Sequence, residues 1–174
     1  MNRLILFFVF SVLLISNQTF AKTNIVFVDM PKVMSTSEVG KSILGQLKIL
    51  NEKTLSNFEK EEKILKEKES AIIAKKNILS SSEYIKEVDN LKLEITKYTQ
   101  KRKKIINELK ELKVKNINKL SNQVSKILIN YSADNTISMI LKKELIITGK
   151  SNLYISEDII KLVNQNIKDY KIKW

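Results

Sequence analysis

The chain has 174 residues, a formal charge of +12, and neither cysteine nor histidine. Without those two residue types, disulfides, the acylated cysteine of a bacterial lipoprotein, and the usual zinc, copper, haem and iron–sulfur ligand sets are all excluded, so no metal or cofactor is expected. Three glycines and one proline are too few to punctuate a chain of many short pieces, so the elements must be long.

At the N-terminus, Met1-Asn2-Arg3, the apolar run from Leu4 to Ile15 and the exit ending at Ala21 have the order of a secretory signal peptide, with cleavage expected after Ala21. The apolar run is about a dozen residues, short of the roughly 20 that span a bilayer, which leaves a retained membrane anchor as the alternative. Loss of residues 1–21 removes Arg3 and no acid, lowering the formal charge from +12 to +11. Such a field attracts acidic partners. Export to the periplasm puts lipid head groups, lipopolysaccharide and acidic polypeptides within reach, and no nucleic acid is expected as a partner.

Residues 24–29 hold the run Ile25-Val26-Phe27-Val28, which predicts a short strand buried on both faces, stopped by Pro31. Ser35, Thr36 and Ser37 offer cap oxygens for a helix that meets no strong breaker until the late seventies, with Gly40 and Gly45 as tolerated weaknesses. Its apolar positions, Ile43, Leu47, Leu50, Leu55 with Phe58, Leu65, Ile72 and Leu79, make a narrow seam. Ser80 and Glu83 have capping-box spacing, so a turn at 79–82 starts a second helix. Tyr84, Val88, Leu91, Ile95, Tyr98, Arg102, Ile105, Leu109 and Leu112 then alternate by four and three. The pattern continues through Ile117, Leu120, Val124 and Ile127 to the polar residues 131–135. At 1.5 Å per residue, helices of roughly 44 and 50 residues run about 65 to 75 Å out and back. Residues 136–141, 145–148 and 153–155 predict two or three short strands meeting the first at the base. Ser156-Glu157-Asp158 then caps a short amphipathic helix bearing Ile159, Ile160, Leu162, Val163 and Ile167.

The expected class is α+β, predominantly α: a long antiparallel helical hairpin over residues 36–132, on a small β-body built from 22–35 and 133–174. That body is too small to stand alone without disulfides, and its sheet edges are open, so oligomerisation is expected. Periodicity alone allows two, three or four protomers.

No enzyme chemistry is expected. The chain has no Gly-x-Ser-x-Gly turn, and the Gly-Lys-Ser strings at 40–42 and 149–151 lack the upstream glycine of a P-loop. Glu61 with Glu62, and Glu67 with Glu69, lie among lysines where helical ion pairing is the simpler reading. The informative feature is a basic arm: Lys75 and Lys76 before the turn, Lys86 after it, then Lys97 and the run Lys101-Arg102-Lys103-Lys104. These are the candidate contacts for a client or an anionic lipid, against the plain reading of a solvated helix face. Arg102 falls on the seam, where outward snorkelling predicts a weak point in mid-arm. Off the seam lie Ile49, Ile64, Ile73, Ile78, Leu93 and Ile106, which either face outward or widen the seam.

The stretches Ile25-Val26-Phe27-Val28-Asp29-Met30-Pro31-Lys32-Val33, Ser37-Glu38-Val39-Gly40-Lys41 and Gln46-Leu47, with the order signal peptide, strand, hairpin, short strands and terminal helix, resemble the Skp/OmpH family of periplasmic chaperones. The resemblance implies a homotrimer whose strands form a common barrel and whose arms enclose an unfolded outer-membrane protein without ATP. It also implies contact with lipopolysaccharide or anionic phospholipid and delivery to the outer-membrane assembly machinery. The competing expectation is a structural or adaptor coiled coil of the cell envelope, although such hairpins usually carry larger β-domains on both sides.

Overall fold

The computed structural model describes residues 23–168 and 171–173, and the expected signal peptide lies outside the described residues. Strand β1 (Ile25–Val28) leads into helix α1 (Met30–Thr36), followed by the two long helices α2 (Glu38–Ala74) and α3 (Ser81–Asp134). Strand β2 (Met139–Lys142) and helix α4 (Ser156–Asn166) complete the chain. The long helices hold 37 and 54 residues and form the expected antiparallel hairpin.

Pro31 does more than stop a strand. It sits in the first turn of α1, where a missing amide costs nothing, and the Asp29 carboxylate caps that turn by accepting from Lys32 N at 2.9 Å. A short helix that the sequence did not lead us to expect, α1, thus precedes the arm helix α2, which starts at the expected cap. The two meet at Ser37, whose extended backbone ends α1 and whose hydroxyl accepts from Gly40 N at 3.3 Å to cap α2. The glycine at position 40 is a requirement of this joint, contrary to the expectation of a tolerated weakness, because a Cβ there would lie 1.9 Å from the Met34 carbonyl oxygen. Gly45 faces open space and fits the original reading.

At the far end α2 stops at Ala74, and residues 75–80 form the turn, so the first helix is shorter than its apolar pattern suggested. Ser80 then caps α3 with the expected box: its hydroxyl accepts from Glu83 N, and the Glu83 carboxylate accepts from Ser80 N at 3.0 Å. The Ser80 hydroxyl, which also donates to the Glu83 carboxylate at 2.6 Å, and after it the Ser80 amide, hold the Glu83 pKa below the ordinary carboxylate value.

β1 and β2 pair in parallel, from Ile25 opposite Met139 to Val28 opposite Lys142. A parallel pair needs a long crossover, and here the whole hairpin is that crossover. The further strands expected at 145–148 and 153–155 are absent among the described residues. Short 3-10 turns occupy Lys143–Leu145 and Ser151–Leu153, leaving one isolated bridge between Phe27 and Tyr154 on the free side of β1. Residues 145–148 have no strand partner among the described residues, and Ile147 is fully exposed.

The core sits at the root of the arm. Val26 and Val28 of β1, Val33 of α1, Ile43 of α2, Val124 of α3 and Ile159 of α4 belong to one cluster of twelve buried apolar residues. Ser156 does not cap α4 as expected. Its hydroxyl accepts instead from Asp29 N at 2.8 Å, tying α4 to the end of β1.

Candidate functional site

The arm changes character along its length. Near the root Ile43 and Leu47 of α2 meet Leu120 and Val124 of α3 in the core, whereas beyond Phe58 on α2, and from the turn to Asn116 on α3, no described residue is buried. The distal arm is therefore a pair of helices in contact along a thin seam. Two expected seam residues, Leu55 and Ile95, are 45% and 42% exposed. A seven-residue repeat drifts around a straight helix, so some of its positions rotate outward.

Phe58 is the anchor of the middle arm. Its ring meets Tyr98 edge to face at 6.3 Å, and the Arg102 guanidinium lies 5.3 Å from its centre. Arg102 also pairs with Glu62, whose carboxylate accepts from the Tyr98 hydroxyl at 2.7 Å. Desolvation, reinforced by Glu62, pushes the Tyr98 pKa up, so the hydroxyl stays a donor. Arg102 accordingly pins the mid-arm and does not leave the weak point expected from the sequence. Neither Glu62 nor Tyr98 was singled out for such a role in the sequence. The signal was present only as an aromatic on each helix and an acid four residues after Phe58.

The structure scatters the candidate cations. Lys75 ends α2, Lys76 lies in the turn and Lys86 stands in the first turns of α3, so these three share the tip. Lys101 bonds to Glu61 at 2.7 Å, and Lys104 approaches Glu108 at 3.8 Å within its own helix. Lys97 and Lys101 line an open groove of about 310 Å3 with Ile64 and Leu65. Among the described residues Lys75, Lys76, Lys86, Lys97 and Lys103 form no ion pair. The eight cations are thus two groups, one at the tip and one in the middle, about 22 Å apart along α3.

All six off-seam apolar residues are exposed, from 46% for Ile106 to 80% for Ile78, so none of them widens the seam. Ile73, Ile78 and Ile85 surround the lysines of the tip. Closer to the root, a second groove of about 480 Å3 lies between the helices, walled by Leu44, Leu47, Lys48 and Asn51 of α2 and by Ile106, Leu109, Lys110 and Lys113 of α3. Sequence reading picked out Ile106 and missed its lysine neighbours, which join it only when the helices pair.

Among the described residues no cluster of acids could hold a metal ion, and no helix is long and apolar enough to cross a membrane. The arm offers a long, mixed apolar and cationic surface.

Comparison with known proteins agrees with this architecture. No curated protein matches the chain. Among solved structures, an OmpH-like candidate outer-membrane chaperone from Caulobacter crescentus has the same fold, with a TM-score of 0.80 over 86% of this chain and 88% of that one at 15% identity. The family model for outer membrane protein (OmpH-like) matches residues 24–163, from the first strand through most of the terminal helix, and the chain belongs to that family.

Proposed function

We propose that the mature chain is an ATP-independent holdase chaperone of the periplasm, which binds unfolded outer-membrane β-barrel proteins, prevents their aggregation and delivers them to the assembly machinery for insertion. The observation that carries this reading is the distal arm, where exposed isoleucines and unpaired lysines occupy helices whose seam is only half-buried. Such a surface offers many weak apolar and electrostatic contacts to an unfolded chain, and none strong enough to need nucleotide for release.

The body supports a homotrimer with the strands joined in a common barrel. Among the described residues the outer edge of β2 has no partner, and Met139, Leu145 and Ile147 of the body are exposed. In this reading the arm of residues 36–132 is the gripping element and 22–35 with 133–174 the assembly element. Lys97, Lys101, Arg102, Lys103 and Lys104 serve client contact, while Lys75, Lys76 and Lys86 at the tip suit phosphate groups of lipopolysaccharide or anionic phospholipid.

The test is dilution of a urea-unfolded outer-membrane β-barrel protein into buffer with and without residues 22–174, followed by light scattering, with no nucleotide present. Suppression of scattering is expected. Scattering that is unchanged at threefold excess of protomer would reject the holdase reading in favour of an adaptor coiled coil.

A further inference from the structure

The mid-arm cations are partly matched by acids, Lys101 by Glu61 and Arg102 by Glu62. The groove nearer the root is different. No carboxylate lines it, Lys110 and Lys113 have no ion pair among the described residues, and Lys48 has only Glu52 at 3.9 Å. Leu44 and Ile106 stand 42% and 46% exposed in its walls. Leu44 and Lys48 are one helical turn apart, and Ile106, Lys110 and Lys113 succeed one another on one stripe of α3, so apolar and cationic positions mix along about 10 Å of arm.

Resting on the holdase reading, we propose that this groove is the arm's principal seat for an extended, acidic, amphipathic polypeptide segment, one that lays apolar side chains between the helices and carboxylates against Lys48, Lys110 and Lys113. Charge complementarity selects this occupant. A phosphate headgroup is held by cations converging on one point, whereas these cations stand on both walls of an elongated apolar floor and match carboxylates spaced along a chain. At about 3.3 Å per residue the groove seats roughly three residues of extended chain, so each seat binds weakly. Repetition on several arms then supplies the grip.

The experiment uses the full mature chain and fluorescein-labelled ten-residue peptides, one alternating valine with glutamate and one alternating valine with lysine, read by fluorescence anisotropy. The groove pair Lys110→Glu/Lys113→Glu is compared with Lys60→Glu/Lys63→Glu, an equal charge change elsewhere on the arm. The groove pair is expected to weaken glutamate-peptide binding about tenfold and the comparison pair less than about twofold, with the lysine peptide bound far more weakly by all proteins. The milder Lys110→Gln/Lys113→Gln pair, which keeps helix propensity, is expected to give about threefold.

Equal weakening by both charge-reversed pairs would overturn the proposal in favour of a diffuse field. Loss of binding to phosphatidylglycerol vesicles in the groove pair, with peptide binding unchanged, would overturn it in favour of a lipid seat. Scattering assays on the same variants separate the two levels of the reading. If the groove pair protects an unfolded barrel as well as the parent does, the groove assignment fails and the holdase reading stands. If the parent itself gives no protection, the holdase reading fails.

Discussion

Gly40 and Asp29 show how tightly the root is built. A methyl group at position 40 would meet the Met34 carbonyl, whereas one at Gly45 would meet nothing within 4 Å. Gly40→Ala is therefore expected to destabilise the chain by about 1–3 kcal/mol. Gly45→Ala, in mid-helix, should stabilise it by about 0.5–1 kcal/mol. Urea unfolding midpoints at fixed protein concentration distinguish the two, and equal shifts would contradict the close approach of α1 and α2. No sequence pattern separates these glycines, because the contact that condemns one is made by a backbone oxygen six residues away around a corner.

Asp29 accepts from Lys143 Nζ at 2.8 Å and from Lys32 N, and the Lys143 bond is the main reason its pKa lies below the ordinary 3.8. A carboxyl more acidic in the folded state stabilises the fold above its unfolded pKa, and that contribution is lost as pH falls through the folded value. Asp29→Asn is expected to cost about 1 kcal/mol at neutral pH, with the gap to the parent narrowing as pH falls below the unfolded value of 3.8. Urea titrations at pH 7 and pH 3 check this, and a gap independent of pH would assign the effect to packing. The residue itself was legible as the end of a strand, but its partner Lys143 lies 114 positions away.

At the scale of elements, the hairpin was legible because a seam repeats and repetition is visible in one chain. Tyr84 to Leu112 kept the alternation over nearly eight turns, and the capping box of Ser80 with Glu83 marked where α3 begins. The strands after Lys142 were not legible, since β-branched residues say only that a pleated partner would suit them and this chain provides none. The Phe58–Tyr98–Arg102–Glu62 clasp was also hidden, because it depends on which turns of α2 and α3 face each other. It divides the arm into a packed root and a lightly held distal half. Arg102→Met should speed amide exchange about fivefold in the segments beyond the clasp, residues 59–97, while leaving the root unchanged. Hydrogen-exchange mass spectrometry reads this directly. Uniform acceleration along both helices would show that the clasp merely adds to one cooperative unit.

For the whole molecule, a core cluster of twelve buried apolar side chains, a two-stranded sheet with an open edge among the described residues and an arm that fully buries no residue beyond Phe58 on α2 suit a subunit better than a monomer. In the proposed trimer the chain's length goes into the arm, and copies of the chain complete the body. Gripping and assembly are then separable. Changes in the groove should alter client affinity without changing the oligomer, and Ile147→Asp, at a fully exposed position of the body, should weaken the oligomer at least about tenfold without disturbing the arm's helicity. Sedimentation velocity with circular dichroism checks the second statement, and an oligomer indifferent to a charge at Ile147 would place the interface elsewhere.

The most direct measurement is native mass spectrometry of residues 22–174 mixed with an unfolded outer-membrane β-barrel protein, without nucleotide. The account expects a trimer alone and, on mixing, a complex of three copies with one client. A monomer, or a trimer that never acquires the client's mass, would contradict it.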